Sequence, residues 1–187
     1  MMGRRRAGQL ARTDTGKALE AARACPDAWY RVQALASVAA HAEQRVALPI
    51  LKEAAREAQS CHDAYGMVAV MAWPLGVAFE RGLLGFAEPE LGKCLALASR
   101  IEPRASKAYA LEIIWSACFA VDPRHAEPVW RRILGLCHPD HHWRAARLYL
   151  HIAATLDRRN PGAAADMIRA MAPGKARSWL ERRFKLA

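Results

Sequence analysis

The sequence is poor in β-branched and aromatic residues. Val, Ile and Thr together number about 18 of 187 residues against about 40 alanines, and aromatics make up 7%. That balance favours helix and leaves little material for a sheet. No apolar run reaches 18 residues, and the opening stretch from Met1 to Gln9 carries arginines without an apolar segment. Neither a membrane-spanning helix nor a secretory signal is therefore expected, and a cytoplasmic protein without integral membrane association is the expectation. The five cysteines, Cys25, Cys61, Cys94, Cys118 and Cys137, are odd in number, widely spaced and free of any CxxC pair. This argues against a disulfide framework and a zinc ribbon, and in favour of small core residues. No HExxH, P-loop, GxGxxG or GxSxG motif occurs, so no catalytic residue and no cofactor is assigned, although triads assembled from distant residues leave no mark in sequence order.

What is present is apolar surface and positive charge. Hydrophobic residues make up 53% of the chain, enough for one globular domain with a sizeable core, and Lys plus Arg number 28 against 18 Asp plus Glu. The excess is uneven: residues 1–94 hold about 12 basic and 10 acidic side chains, residues 95–187 about 16 and 8. A partner attracted by charge should favour the C-terminal half.

Laid against itself, the chain repeats at roughly 36 to 40 residues. Ala21-Ala22-Arg23-Ala24-Cys25-Pro26-Asp27-Ala28-Trp29 aligns with Glu57-Ala58-Gln59-Ser60-Cys61-His62-Asp63-Ala64-Tyr65, and the register returns around Ile101, Cys137 and Met171. Each of these five residues holds an apolar position at the end of a unit's second helix, followed by Pro, Asp or both as turn and N-cap residues. Periodicity predicts helices over about 16–25, 28–41, 46–60, 64–80, 89–101, 104–120, 123–137, 141–157, 161–171 and 175–186. Pro74 should kink or split the fourth, and Glu88-Pro89, Asp122-Pro123 and Asn160-Pro161 mark helix starts. The expected fold is all-α, an α-solenoid of about four antiparallel helical hairpins with half-units at both ends. Residues 1–15 form a flexible basic N-terminal tail in this reading, and 16–187 a single helical-repeat domain.

The run from Ala18-Leu19-Glu20-Ala21-Ala22 through Cys25-Pro26-Asp27-Ala28-Trp29-Tyr30-Arg31-Val32-Gln33-Ala34-Leu35 to Ala39 resembles tandem bacterial helical-hairpin repeats of the tetratricopeptide-like class. The pattern covers most of 17–187. Trp, Leu-Gly and Tyr at the fixed offsets of the strict tetratricopeptide pattern are absent, which leaves HEAT-like repeats as the alternative. The resemblance implies a non-catalytic binding scaffold for a protein or peptide.

Two clusters carry chemistry on paper. Cys137, His138, Asp140, His141 and His142 fall within one turn and have the donor types of a zinc site. Cys137, however, occupies the apolar repeat position, and one short loop rarely supplies four convergent ligands, so Asp140 as N-cap with exposed histidines is the simpler account. On the following helix Arg144, Arg147, His151 and Arg158 fall within a wedge of roughly 60°, opposite Ala145, Tyr149, Ile152 and Ala153. Guanidinium groups grip carboxylates and phosphates alike, so this stripe is the candidate site for an acidic protein or peptide partner, or, in the alternative, for a nucleic-acid backbone. Arg159 extends the stripe in this reading. The six tryptophans read as packing residues, with Trp29 and Trp143 at equivalent places in their units.

Overall fold

The computed structural model describes residues 2–136 and 143–186, with side chains over 6–136 and 147–186. The chain is all-helical, and no strand occurs among the described residues. In order the helices are α1 (Met2–Leu10), α2 (Thr15–Arg23), α3 (Ala28–His41), α4 (Gln44–Ala58), α5 (Ala64–Val70) and α6 (Ala72–Glu80). They continue as α7 (Leu84–Leu97, extended by a 3-10 turn over Ala98–Arg100), α8 (Arg104–Val121), α9 (Pro123–Leu134), α10 (Trp143–Arg159), α11 (Ala163–Ala170) and α12 (Lys175–Arg183). None of them is long and apolar enough to cross a membrane.

Aspartates set four of the helix starts. The carboxylates of Asp14, Asp27, Asp63 and Asp122 accept from the backbone N–H of Lys17, Tyr30, Gly66 and Arg124 at 3.0, 3.3, 2.7 and 2.8 Å. Each satisfies a donor that the helix itself leaves free. Space at Gly66 is tight, because a Cβ there would stand 3.2 Å from the Cys61 Cβ. The helix ends are equally regular. Cys25, Cys61, Ile101 and Met171 are all buried, and each donates its N–H to the carbonyl three residues earlier, at 3.1 to 3.2 Å. Four of the five aligned turn positions thus share one local geometry; Cys137, with the rest of the Cys-His cluster, lies outside the described residues. Pro49, Pro89 and Pro128 lie inside α4, α7 and α9, each on the exposed side, where the carbonyl left without a donor can turn to water.

Packing follows the chain in pairs: α1 with α2, α3 with α4, α8 with α9, α10 with α11. The first helix of each pair also packs on that of the next, α1 on α3, α3 on α6, α6 on α8, α8 on α10 and α10 on α12. The core runs along this second set of contacts. Leu35, Leu75, Leu111, Ile114, Trp115, Tyr149 and Ile152 are fully or almost fully buried there, and the Tyr149 hydroxyl finds the Ile133 carbonyl of α9 at 3.2 Å. Alanine fills the closest approaches: Ala22, Ala36, Ala39, Ala54, Ala69 and Ala110 are buried, and side chains this small let helix axes come together.

Three expectations change, at residues 2–10, at Pro89 and at Pro161, while the one made for Pro74 holds. Residues 2–10 are helical rather than a flexible arm; Ala7 and Ala11 are buried, and a Cβ on Gly8 would lie 3.1 Å from Ser37 Oγ. The face that docks α1 on α3 is made of Ala and Gly, which an arginine-rich stretch conceals from any search for large apolar side chains. The fourth expected helix is divided as Pro74 demands, at Met71, one residue beyond the Val70 carbonyl that Pro74 cannot serve. Glu88-Pro89 does not open α7, which begins at Leu84 with Pro89 in its second turn. Asn160-Pro161 likewise precedes the start of α11, whose N-cap is Gly162 at φ 94°, a left-handed conformation that glycine adopts without strain.

Candidate functional site

Of the four stripe residues, three have described side chains; that of Arg144 lies outside them. Arg147, His151 and Arg158 are all exposed on α10, as 3.6-residue periodicity requires once Leu148, Tyr149, Ile152 and Ala153 are buried. They do not behave alike. His151 Nε2 lies 3.3 Å from Glu112 Oε1 of α8, forming an ion pair whenever the imidazole is protonated. Arg158 turns back on its own helix, its Nε donating to the Ala154 carbonyl at 3.2 Å and Nη2 to Thr155 Oγ1 at 3.1 Å. Arg159 does not extend the stripe: its Nη1 donates to the Phe119 carbonyl at 2.8 Å, and its guanidinium sits 5.2 Å above the Phe119 ring. It is a clamp between α10 and α8.

Glu112 is the residue that sequence reading missed. Its carboxylate, 17% exposed, also accepts from Ser116 Oγ at 2.9 Å. Burial, followed by the charges of Asp63 and Glu112, raises the pKa of the nearby Tyr65 phenol. The stripe therefore borders a polar patch on α8 with an acid at its centre. Ser, Glu and His side chains meet here, but the carboxylate stands between the hydroxyl and the imidazole. A nucleophilic serine needs the imidazole as its direct neighbour, so this trio does not have the order of a hydrolytic triad. Continuing along the first helices, Trp29 of α3 and Trp73 of α6 meet edge to face, ring centroids 5.7 Å apart, with Trp73 36% exposed. Trp29 thus packs between α3 and α6.

The other cations of the C-terminal half divide between structure and surface. Arg177 bonds Glu181 at 2.7 Å and the carbonyls of Arg169 and Met171 at 3.2 Å, and Arg131 pairs with Glu127 at 2.9 Å. Arg132, Lys175, Arg182, Arg183 and Lys185 are exposed and have no carboxylate partner among the described residues. His125, in the first turn of α9, stacks on Phe79 at 4.2 Å, whereas His41 ends α3 and Glu43 precedes α4 without a side-chain capping bond. No group of three potential metal ligands occurs among the described residues. Cys94 and Cys118 are buried, and burial pushes both thiols up to about 12, which leaves them protonated and poor nucleophiles. No protein-family model, curated protein or solved structure matches the chain.

Proposed function

We propose that the chain is an α-solenoid of about four helical hairpins with half-units at both ends, tetratricopeptide-like or HEAT-like in kind. In this reading it works as a non-catalytic scaffold that holds an acidic segment of a protein partner. The solenoid reading draws on the common geometry of the turns at Cys25, Cys61, Ile101 and Met171 and on the succession of first-helix contacts from α1 to α12. Stacked hairpins offer one continuous face built from their first helices, and that face is where such proteins hold their partners. The observation that carries the functional reading is the exposure of Arg147, His151 and Arg158 in one row on α10. Arg144 shares their helical register and is the fourth member. Glu112 of α8 faces His151, and in this reading the arginines of the row are the groups that take a carboxylate.

The test is fluorescence anisotropy with a labelled Glu-rich 15-residue peptide against the protein and its Arg147→Glu, Arg158→Glu double variant. The expected result is saturable binding that weakens at least tenfold in the variant while the helical circular dichroism is unchanged. Equal affinities would remove α10 as the site. A labelled DNA duplex, titrated in parallel across salt, addresses the nucleic-acid alternative. Binding that persists near about 150 mM salt with a steep logarithmic slope would transfer the site to phosphate recognition.

A further inference from the structure

Counted from the buried turn residue, the same positions meet at successive junctions between units, and two junctions are built differently. At the first, the residue six after Cys25 is Arg31 and the residue four before Cys61 is Glu57; Arg31 Nε is 2.7 Å from the Glu57 carboxylate. Arg31 also donates to the Cys25 and Pro26 carbonyls. The residue two before Cys25 is Arg23, the residue eight before Cys61 is Glu53, and these too are joined at 2.7 Å. Two ion pairs thus tie α2 and α3 to α4. At the next junction the corresponding residues, counted from Cys61 and Ile101, are Met67 with Leu97 and Gln59 with Lys93. None of these pairs is ionic, and all four residues line a groove of about 1090 Å³ between α4 and α7.

The groove has an apolar interior and a cationic rim. Met67, Met71, Leu48 and Phe86 line it, and Leu84, one of the few large apolar side chains left exposed at 41%, stands at its edge. Lys52 and Arg56 come from the α4 wall, Lys93 and Arg100 from the α7 side. Glu90 is the acid of the lining, and it is taken by Lys93 at 2.7 Å. The walls are helices of 15 and 14 residues, about 20 Å long at 1.5 Å per residue. That length accommodates three to four turns of a third helix.

We infer that the α4–α7 groove is a docking site for an amphipathic helix of a partner protein, with Leu-like residues on one face and Asp or Glu flanking it. Apolar side chains would enter over Met67 and Met71, whose flexible thioethers adapt to varied shapes, while the flanking carboxylates meet Lys52, Arg56 and Arg100, in the manner of helix-in-groove recognition. Charge complementarity favours an acidic partner over a second copy of this chain, whose net charge is +10. This site lies apart from α10 and does not rest on the acidic-segment reading given for it.

The experiment uses a fluorescein-labelled 15-residue model helix with Leu at every third or fourth position and Glu on the flanks, and a second peptide with Lys replacing Glu. The full-length protein should bind the Glu helix saturably and the Lys helix at least tenfold more weakly. The Lys52→Glu, Arg56→Glu variant should reverse that preference. Met67→Arg with Leu97→Glu, which copies the Arg31–Glu57 bridge into the groove, should abolish binding while keeping the helical signal. Arg147→Glu with Arg158→Glu should leave the groove affinity unchanged, which separates this site from the one on α10. Absence of saturable binding to the wild type up to about 1 mM would overturn the proposal, as would equal binding of the two peptides. Displacement of the Glu helix by an equal concentration of sodium dodecanoate would overturn it in favour of an anionic amphiphile.

Discussion

The two sides of α4 face the same kind of neighbour and are finished in opposite ways. Toward α2 and α3 the seam is closed by Arg23–Glu53 and Arg31–Glu57, the second pair with side chains only 21% and 32% exposed. Toward α7 the equivalent positions hold Met67, Leu97, Gln59 and Lys93, and the seam stays open. Beneath both seams runs the same apolar layer of first helices, with Leu35, Leu75 and Trp115 buried in it. Cohesion therefore resides in the first helices. The second helices carry the variation, and a bridge can be exchanged for a groove without loss of the core.

Removing part of the shared layer should have the largest effect, because it acts on both seams at once. Trp115 is 2% exposed and stacks on Phe119 at 4.7 Å, so Trp115→Ala should cost about 3–5 kcal/mol in urea denaturation. A loss below about 1 kcal/mol would mean that the first-helix layer is not what holds the units together. The next effect separates the seams. Arg31→Ala removes a charge-assisted bond to Glu57 and leaves two turn carbonyls without their donor, for an expected loss of about 1.5–3 kcal/mol. Met67→Ala at the equivalent position, half-buried beside an open groove, should cost about 1 kcal/mol. Equal losses in the two variants would erase the distinction.

The smallest effect is the pH dependence of the closed seam. The Arg23 guanidinium, bonded to Glu53, holds that carboxyl below its ordinary 4.5. A carboxylate with a lowered folded pKa stabilises the fold fully above its unfolded value and ceases to do so as pH falls through the folded one. The Arg23–Glu53 contribution should therefore be intact at pH 6 and fade below about 4.5. The Glu53→Gln variant should show a shallower decline in melting temperature between pH 5 and 3, and an identical decline would remove the pair from the account. Farther along the chain, the side chain and backbone N–H of Arg124 hold Asp122 down to about 2. That α9 cap should persist until the pH approaches about 2.

Much of the helix pattern was legible from local chemistry. The boundaries of α3 and α8 fall within one residue of expectation, since Asp27 and Pro103 mark their starts and apolar spacing carries them to His41 and Val121. The division at Met71 followed from Pro74. The α1 helix was illegible because its docking face is Ala7, Gly8 and Ala11, small side chains whose value lies in close approach. Of the candidate site, the row Arg147, His151 and Arg158 was readable from helical spacing, and Glu112 was not. Nothing local to Glu112 announces that a histidine 39 residues later will fold against it.

The sequence by itself determined an all-helical chain, the starts of α3, α8 and α9, and the apolar turn residue that recurs from Cys25 to Met171, because capping, proline and periodicity act over a few residues. Tertiary structure alone decided which charges are spent. Arg23 and Glu53 stand 30 residues apart, Arg31 and Glu57 26, and only the packing of α2 and α3 against α4 makes them partners. The same packing, applied to Met67 and Leu97 and to Gln59 and Lys93, leaves a groove, because neither pair joins opposite charges that could bridge it.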